Sequence, residues 1–397
     1  MNKNRSSEIR THEAVAEYNQ QLILDSLRFD GNMSRADLSR HLSMSFPAVS
    51  SNVKKMLEAN YIIEVGSGDN AIGRKPTVLA FNAQRGYIIG VDLGRFRIRI
   101  MLADLLGNEV SRTEAINSTD ISGDGRQIIG LIHNRINDIL DKAGKAKDDI
   151  LCIVIGIPGI MKDGRSFLAP FTEKFPEKDM VETLQDAFEA DVLLENCVNL
   201  GVIGEQWKGA GINYKDVIYI AYGVGLGSAH IVDGKLYKGA NGAAGEIGFM
   251  ITNPEKLGNK YEEIGYLEES LSRSKINKYL DSDNFDEDLI KLIERYKNGD
   301  STNAKQIVDI IDEIAQNFGM ALVNMSALLN PEAIIIAGGL GANLGKLFID
   351  RWKKILENHV PFVPDVLLSE LNHTETMLGA VMTGIIHIHG YPFTAKT

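Results

Sequence analysis

The pentapeptide ENCVN, residues 195–199, places a carboxylate, an amide and a thiol at the end of an apolar run. The surrounding ADVLLENCVNLGVIGEQW predicts a strand that leads into a helix, a common location for catalytic groups. Cys197 stands where an acid–base enzyme would need a carboxylate. A thiol with a pKa of about 8.5 is mostly protonated at neutral pH, and no His or Lys lies close in sequence to lower that pKa. Cys197 is therefore expected to be a small buried residue, with a reactive cysteine as the alternative.

Three glycine-rich turns form a second possible site, because backbone N–H groups in such turns can bind phosphate. They read DLGRF at residues 92–96, YGVGLGS at 222–228 and AGGLGANLG at 337–345, and each follows a strand-like segment. One such turn is an ordinary connection between elements. Three in one chain, each after a strand, indicate a cleft shaped for a nucleotide.

The elements that must position these turns alternate between strands and helices along residues 83–397. GYIIGVDLG, RIRIMLAD and EVSRTEA predict three successive strands, followed by the helix GRQIIGLIHNRINDILDKAG and the strand ILCIVIGIPG. This succession of strand-like segments partly recurs in DVIYIAYGVGLG, SAHIVDGKLYKG and EAIIIAGGLG. This alternation predicts two α/β lobes with a cleft between them.

A different pattern occupies residues 1–82. The helix AVAEYNQQLILDSLRF precedes two short helices expected to begin after the N-caps Ser34 and Ser45, with Pro47 in the first turn of the last. Two helices joined by a tight turn, followed by a glycine-rich hairpin, predict a winged helix-turn-helix that binds DNA. The alternative is a small packing module. The residues expected to contact DNA are Ser45, Phe46, Ala48, Ser50, Ser51, Lys54, Arg74 and Lys75.

Charge separates these two regions. The 397 residues carry a net charge of −11, but residues 1–82 hold ten Lys and Arg against nine Asp and Glu. The acidic excess therefore lies in the remainder, and only the first region is suited to approach a phosphate backbone. The polar start and the lack of long apolar runs argue against a secretory signal and against membrane association. With two cysteines, both in apolar runs, a reducing cytoplasm is the expected location.

Five segments of the second region are distinctive when taken together: GVDLG, GIPGIM, ENCVN, GVGLGSAHIVDGKLYKGANGAAGEIG and LNPEAIIIAGGLG. Through these segments the region resembles the ROK family of repressors and sugar kinases. It implies an α/β fold with an N-terminal winged helix-turn-helix at residues 1–82 and a two-lobed, actin-like and sugar-kinase-like (ribonuclease H-like) body. The lobes are expected at residues 83–200 and 201–397, with the C-terminal helix returning to the first lobe. The winged region and its GRKP segment resemble the sugar-responsive repressor branch of the family.

The resemblance also implies a degenerate active site with no catalytic residue. Family kinases carry a general-base Asp where Cys197 stands, Gly and Thr where Arg95 and Phe96 stand, and Thr where Val224 stands. ATP is therefore not expected, and the remnants of the phosphate turns are Asp92, Gly94, Gly223, Gly225 and Gly227. Zinc is not expected either, because the family's zinc ligands are replaced by Phe249, Asn259, Tyr261 and Tyr266.

Several polar positions that bind sugar in the family are retained. A sugar pocket needs fixed donors and acceptors that replace the water around each hydroxyl. The expected effector is therefore a small polar molecule, a sugar or sugar derivative, with a pocket that binds nothing as the alternative. The residues expected to bind the effector are Pro158, Gly159, Asn196, Cys197, Glu246 and Glu268.

These features predict a DNA-binding transcriptional regulator, a repressor of carbohydrate-utilisation genes, that senses its effector without catalysis. A homodimer or homotetramer would match a two-fold double-stranded DNA operator. Effector binding would change DNA affinity through residues 81–90, by as much as the effector prefers one conformation of the body. Two rival hypotheses are an active ROK sugar kinase with a fused DNA-binding head, and a ligand-free regulator controlled by a protein partner.

Overall fold

The computed structural model describes residues 12–67, 77–94, 97–117, 125–162, 165–167, 177–261, 264–272, 275, 290–294 and 304–389. The chain forms two compact units, called here the head and the body. The head comprises Met1–Tyr87 together with Asp104–Asn108, and the body comprises Ile88–Ala103 together with Glu109–Thr397. The chain therefore passes between the two units at three points.

The described part of the head holds three α-helices and a three-stranded antiparallel sheet with the strand order β1-β3-β2. In chain order the elements are α1 (His12–Asp25), β1 (Met33–Ser34), α2 (Arg35–His41), α3 (Phe46–Glu58), β2 (Ile62–Ser67) and β3 (Thr77–Phe81). Two helices followed by a β-hairpin are the arrangement expected of a winged helix-turn-helix.

Both predicted N-caps of the head are confirmed. The Ser34 Oγ accepts a hydrogen bond from the Asp37 backbone N–H at 3.2 Å, and the Asp37 carboxylate accepts one from the Ser34 N–H at 3.1 Å. This reciprocal capping box satisfies two backbone donors that the first turn of a helix leaves open. The Ser45 Oγ accepts the Ala48 N–H at 3.4 Å, and Pro47 occupies the first turn of α3.

The first helix ends earlier than its sequence pattern predicted. α1 stops at Asp25, and a π-helical turn follows at Ser26–Asp30. The Ser26 hydroxyl donates to the Leu22 carbonyl at 2.9 Å, and such local bonds of Ser compete with regular helical bonding. Gly31 then ends the helical segment with a φ of 95°, a conformation that glycine adopts without strain.

One stripe of α3 forms the centre of the head's core. Val49, Val53 and Met56 are almost fully buried, as are Leu38 of α2 and Leu79 of β3. Burial of such side chains contributes roughly 1.5–3 kcal/mol each, which is the main reason why this short helix is stable.

A turn distant in sequence completes the head. The backbone N–H of Leu105 donates to the Ala83 carbonyl at 3.0 Å, and the Arg28 guanidinium donates to the Leu105 carbonyl at 3.3 Å. The Asp104 carboxylate fixes the turn itself, because it accepts the backbone N–H groups of Leu106 and Asn108 at 2.9 Å. These bonds explain why Asp104–Asn108 belong to the head although their neighbours in sequence belong to the body.

The first sheet of the body has the strand order β11-β8-β4-β5-β6, with β7 paired to β5, and β8 and β11 are parallel. Its strands are β4 (Tyr87–Leu93), β5 (Arg97–Asp104), β6 (Glu109–Arg112), β7 (Ile116–Asn117), β8 (Ile150–Ile157) and β11 (Asp191–Asn196). A separate hairpin pairs β9 (Ile160–Lys162) with β10 (Arg165–Phe167). The helices that accompany this sheet in sequence are α4 (Gly125–Ala143), α5 (Glu177–Phe188) and α6 (Cys197–Lys208).

The second sheet has the order β14-β13-β12-β15-β16 and is mixed, because β12, β15 and β16 are parallel while β13 and β14 are antiparallel. Its strands are β12 (Val217–Tyr222), β13 (Leu226–Val232), β14 (Lys235–Tyr237), β15 (Ala333–Ala337) and β16 (Asp365–Leu368). The associated helices are α7 (Tyr266–Ser270), α8 (Ala304–Leu329), α9 (Gly339–His359) and α10 (Glu375–His389). Two sheets with intervening helices confirm the predicted α/β class of the body.

Two helices cross closely inside the body. A side chain at Gly204 of α6 would overlap the Glu375 carbonyl oxygen, and one at Gly379 of α10 would overlap the Leu200 carbonyl oxygen. α10 also packs against β8, so the last described helix returns to the first sheet. Among the described helices, none combines the length and apolar character needed to cross a bilayer.

Candidate functional site

Asn196 joins the end of β11 to the start of α6. Its side-chain oxygen accepts the backbone N–H groups of Val198 at 2.7 Å and Asn199 at 2.9 Å, which caps α6. Its amide nitrogen donates to the Gly159 carbonyl at 2.6 Å. The predicted residues Asn196, Pro158 and Gly159 therefore lie together. The cap uses both lone pairs of the Asn196 oxygen, so only one amide hydrogen remains for a ligand.

Glu195 is a polar centre that the sequence prediction did not include. One carboxylate oxygen accepts the Asn196 N–H at 2.8 Å and the Asn199 side-chain amide at 3.0 Å. The other oxygen pairs with the Lys238 ammonium group. The glycine-rich loop that begins at Lys238 is held to the β11–α6 junction by this ion pair. Lys162 of β9 adds a second tie when it donates to the Asn241 side chain at 2.8 Å.

Cys197 is the first residue of α6 and is half-buried. Burial raises the pKa of its thiol to about 12, and the carboxylates of Asp92 and Glu246 contribute in the same direction. A thiol in this state neither accepts a proton from a sugar hydroxyl nor attacks an electrophile at neutral pH. The same interactions place Asp92, Cys197 and Glu246 in one neighbourhood.

Asp92, in the first glycine-rich turn, is paired with a cation that the sequence prediction also missed. The Arg99 guanidinium of β5 donates to the Asp92 carboxylate at 3.0 Å. Asp92 is 8% exposed, and burial raises its pKa while Arg99 acts in the opposite direction. The Gly94 N–H donates to the Arg97 carbonyl at 3.0 Å. The predicted departures at Arg95 and Phe96 lie outside the described residues.

The second glycine-rich turn is closed on itself. The Gly223 N–H donates to the Gly225 carbonyl at 3.0 Å, so this donor is already used inside the turn. Val224 at its tip is 37% exposed. Side chains at Gly225 and Gly248 would both come within about 3 Å of the Glu268 carboxylate, which therefore lies between the turn and the segment that follows Glu246. Gly227 lies beside Val198 of α6.

Glu246 is the most available acceptor of the predicted site. Burial raises the pKa of its carboxyl group, and no hydrogen bond or ion pair within the described residues opposes that effect. Its backbone position is fixed by Gly245, whose carbonyl accepts the Ser228 N–H at 2.9 Å and the Ser228 hydroxyl at 3.1 Å. Gly245 has a φ of 95°, and a side chain there would overlap the Ser228 carbonyl oxygen, so only glycine fits.

Three of the four positions predicted to replace zinc ligands form aromatic and amide contacts with one another. The rings of Tyr261 and Tyr266 meet edge to face with centroids 6.1 Å apart, and the Asn259 amide donates to the Tyr261 hydroxyl at 3.4 Å. Phe249 ends a short 3₁₀ turn in the segment after Glu246. This set lacks the thiolate and imidazole groups that structural zinc sites use, so the residues do not fit zinc.

The exposed side of α3 is the candidate DNA interface. Ser51, Lys54 and Phe46 are exposed, and Ala48 and Ser50 are partly exposed. Ser45 caps the helix, so its hydroxyl already has a backbone partner. The predicted wing residues Arg74 and Lys75 lie outside the described residues, although β2 and β3 on either side of them are paired as a hairpin.

Comparisons with known proteins agree with this architecture. A family model described as winged helix-turn-helix DNA-binding matches residues 17–63, and the ROK family model matches residues 88–384. The fold and the sites thus define a DNA-binding winged head joined to a sugar-kinase-like body. The chain belongs to the ROK family. The predicted family and fold class are therefore confirmed.

Individual relatives include both regulators and kinases. A xylose repressor from Caldicellulosiruptor bescii is 28% identical over 96% of this chain and 98% of its own length. A glucokinase from Halalkalibacterium halodurans is 28% identical, but over 64% of this chain and 80% of its own length. A crystal structure of a ROK family transcriptional regulator, a homolog of the E. coli MLC protein, has a TM-score of 0.71 at 20% identity and covers 94% of this chain and 98% of that one.

Proposed function

We propose that this chain is a DNA-binding transcriptional repressor of carbohydrate-utilisation genes whose body senses a small polar effector without catalysis. One observation carries the proposal: a winged head and a ROK body occur in one chain that aligns along nearly its whole length with a xylose repressor. The head supplies the affinity for DNA, and the body supplies the response to the effector.

The exposed side of α3 supports the assignment of the head. Helix-turn-helix proteins place the second helix of the motif in the major groove with its N-terminal residues at the base edges. Here Ser50 and Ser51 are small enough for close approach. Lys54 is exposed, and its 3.9 Å ion pair with Glu58 leaves hydrogens of the ammonium group for a phosphate group. A homodimer or homotetramer would present two such helices to the two half-sites of a palindromic operator.

The charges around Glu246 support an uncharged, hydroxyl-rich effector. Glu246 and Glu268 are acceptors for hydroxyl hydrogens, whereas the cations Lys238 and Arg99 are already paired with acidic partners. A phosphorylated or acidic ligand would be repelled by the carboxylates of this site. A neutral sugar or sugar derivative fits these donors and acceptors better.

Three features support the absence of catalysis and of an ATP or zinc cofactor. Cys197 is held neutral where the family kinases carry a general base. Asp92 is engaged by Arg99, and the Gly223 N–H is used within its own turn, so neither is free to hold phosphate or its metal ion. The residues at the family's zinc positions are not zinc ligands.

The connection between the units offers a route for regulation. Besides residues 81–90, the chain crosses between the head and the body on both sides of the turn Asp104–Asn108. A change in the strands β5 and β6 on effector binding would therefore reach the head through several covalent links. The effector changes DNA affinity only by as much as it prefers one body conformation.

Fluorescence anisotropy on DNA from upstream of the protein's own gene tests the head, with scrambled DNA as reference and a series of salt concentrations. Lys54→Ala is expected to weaken binding and to lower the slope of log affinity against log salt by about 1. Lys178→Ala is the matched control, because both lysines are exposed on a helix and pair with a Glu four residues on. The double variant Arg74→Ala/Lys75→Ala tests the wing. No DNA binding at any salt concentration would refute the assignment.

Thermal unfolding with a panel of neutral sugars, amino sugars and sugar phosphates tests the effector site. A ligand at about 100 times its Kd stabilises the folded protein by about 2.7 kcal/mol, which is a shift of several degrees. Glu246→Gln should remove the response, and Glu357→Gln, an exposed site on α9, should not. If no compound shifts the Tm, the ligand-free regulator becomes the better hypothesis.

An active sugar kinase is the second candidate, because the glucokinase relative shares the body. ATP-dependent phosphorylation of the same sugar panel decides between the two. Activity above that of a heat-inactivated sample would refute the non-catalytic assignment.

A further inference from the structure

The N-terminal end of α3 carries a large apolar side chain that the head does not bury. Phe46 is the first residue of the helix and is 53% exposed, while the core stripe begins one turn later with Val49. Phe46, Ser50 and Lys54 follow one another at intervals of four residues, so they form a line along one side of α3. A single exposed apolar side chain is common on protein surfaces. This ring is distinguished by its position, because it lies in line with a serine and a lysine on the side of α3 assigned to DNA.

The backbone at this end of α3 is poorly suited to bind phosphate. A helix N-terminus binds anions through its free N–H groups. Pro47 has no N–H, the Ala48 N–H donates to the Ser45 hydroxyl, and the Val49 N–H donates to the Ser45 carbonyl at 3.0 Å. The group that this end presents is therefore the benzyl side chain rather than an array of donors.

The major groove of DNA offers one apolar group to such a side chain. Each base pair presents donors and acceptors there, and only thymine adds a methyl group, at C5. We propose that Phe46 recognises thymine in each operator half-site through contact of its ring with the 5-methyl group. This inference rests on the proposed DNA-binding function. It assigns Phe46 a role in specificity, whereas Lys54, further along the same line, contributes affinity through phosphate.

The neighbours of Phe46 favour DNA over a protein partner. Ser51, Lys54 and Lys55 are exposed on the rest of α3, and Glu58 is exposed beside Lys54. Hydroxyl and ammonium groups along the same helix as the ring match a polyanion better than an apolar interface. A second copy of the chain packing on Phe46 is the competing explanation, and the experiment includes it.

Replacement of thymine by uracil isolates the proposed contact, because the two bases differ in base pairs only by the 5-methyl group. High-affinity sites are first selected from random double-stranded DNA with the full-length wild-type protein. Each thymine of the best site is then replaced singly by uracil, and the Kd is measured by anisotropy. We expect one thymine per half-site at which uracil weakens wild-type binding about fourfold, the effect of one buried methyl group at about 0.8 kcal/mol.

Variants of Phe46 link that effect to the ring. Phe46→Ala should bind the thymine and uracil sites equally, while Phe46→Leu, which keeps an apolar side chain, should retain part of the difference. Tyr18→Ala is the control, because Tyr18 is an aromatic residue of the head that is 54% exposed on α1. It should leave the thymine-to-uracil ratio unchanged.

The outcomes separate this inference from the proposed function. If selection enriches no sequence, DNA recognition itself fails and this inference fails with it. If a site is enriched but no thymine responds to uracil, or Phe46→Ala responds like the wild type, DNA binding stands and the role of Phe46 is refuted. If Phe46→Ala instead lowers the oligomeric state in analytical ultracentrifugation and keeps the uracil response, Phe46 packs on a second copy.

Discussion

Replacement of Cys197 by Asp tests the proposal that Cys197 occupies the position of a catalytic base. The pKa of the Cys197 thiol is raised from 9.0 to about 12, mainly by burial and further by Asp92 and Glu246. At about 1.36 kcal/mol per pH unit, this corresponds to about 4 kcal/mol in favour of the neutral form. A carboxylate at the same position would meet the same burial and the same two acidic neighbours.

We expect Cys197→Asp to be about 2 to 4 kcal/mol less stable at pH 7 than Cys197→Asn, which has nearly the same shape without the charge. The lower figure applies if the carboxylate turns toward solvent, because residue 197 is only half-buried. The pKa of this Asp would be raised in the folded protein above its unfolded value of about 3.9. The two variants should therefore be equally stable below pH 4, and the Asp variant should lose stability as the pH rises toward its folded pKa.

Urea unfolding followed by circular dichroism between pH 4 and pH 8 measures this difference, and a coupled ADP-release assay on a sugar panel measures catalysis. We expect no phosphorylation by Cys197→Asp, because Asp92 remains paired with Arg99. Equal stability of the Asp and Asn variants at pH 8 would refute the described environment of residue 197. Phosphorylation by the Asp variant above the wild-type level would show that the phosphate site is intact.

Three further substitutions test the packing and electrostatics of the body. Gly379→Ala should lower the free energy of unfolding by about 1–3 kcal/mol through overpacking. Gly130→Ala, on open helix surface, should raise it by about 0.5–1 kcal/mol. The reverse order of stabilities in urea unfolding would contradict the close crossing of α6 and α10. Glu375 is buried with one oxygen unpartnered within the described residues, and burial raises its pKa. The free energy of unfolding should therefore fall as the pH rises above about 4.3, and it should fall less in Glu375→Gln, which melting curves at a series of pH values would show. Lys238→Met should speed amide hydrogen exchange in the loop that Lys238 begins, whereas Lys235→Met should not.

Much of the fold could be predicted from the sequence because its signals are local. The caps at Ser34 and Ser45 depend on contacts three residues apart, and the strands and helices follow from the spacing of apolar residues over a few turns. Among the described residues of the head, the early end of α1 is an error that comes from a local competitor, the bond between Ser26 and the Leu22 carbonyl. The sequence does not show whether a serine inside an apolar helical pattern bonds to solvent or to the backbone carbonyl four residues earlier.

The candidate site was only partly predictable. Family motifs indicated Asn196, Glu246 and Glu268, but nothing in the sequence assigned Lys238 to Glu195, 43 residues away along the chain. Arg99 is close to Asp92 in sequence, yet their pairing depends on which face of β5 meets the turn after β4. Such pairs depend on strand register and on the packing of loops, which sequence patterns of apolar and polar residues do not specify.

By itself the sequence determined the order of elements, the family and the identity of the residue at position 197, because each is a property of neighbouring residues. Only the tertiary structure decided the acidity of the Cys197 thiol. The thiol of Cys197 is held neutral by burial and by Asp92 and Glu246, two carboxylates that lie far from it in the chain. A pKa depends on the dielectric surroundings and on the charges within a few ångströms, and folding alone brings those charges together.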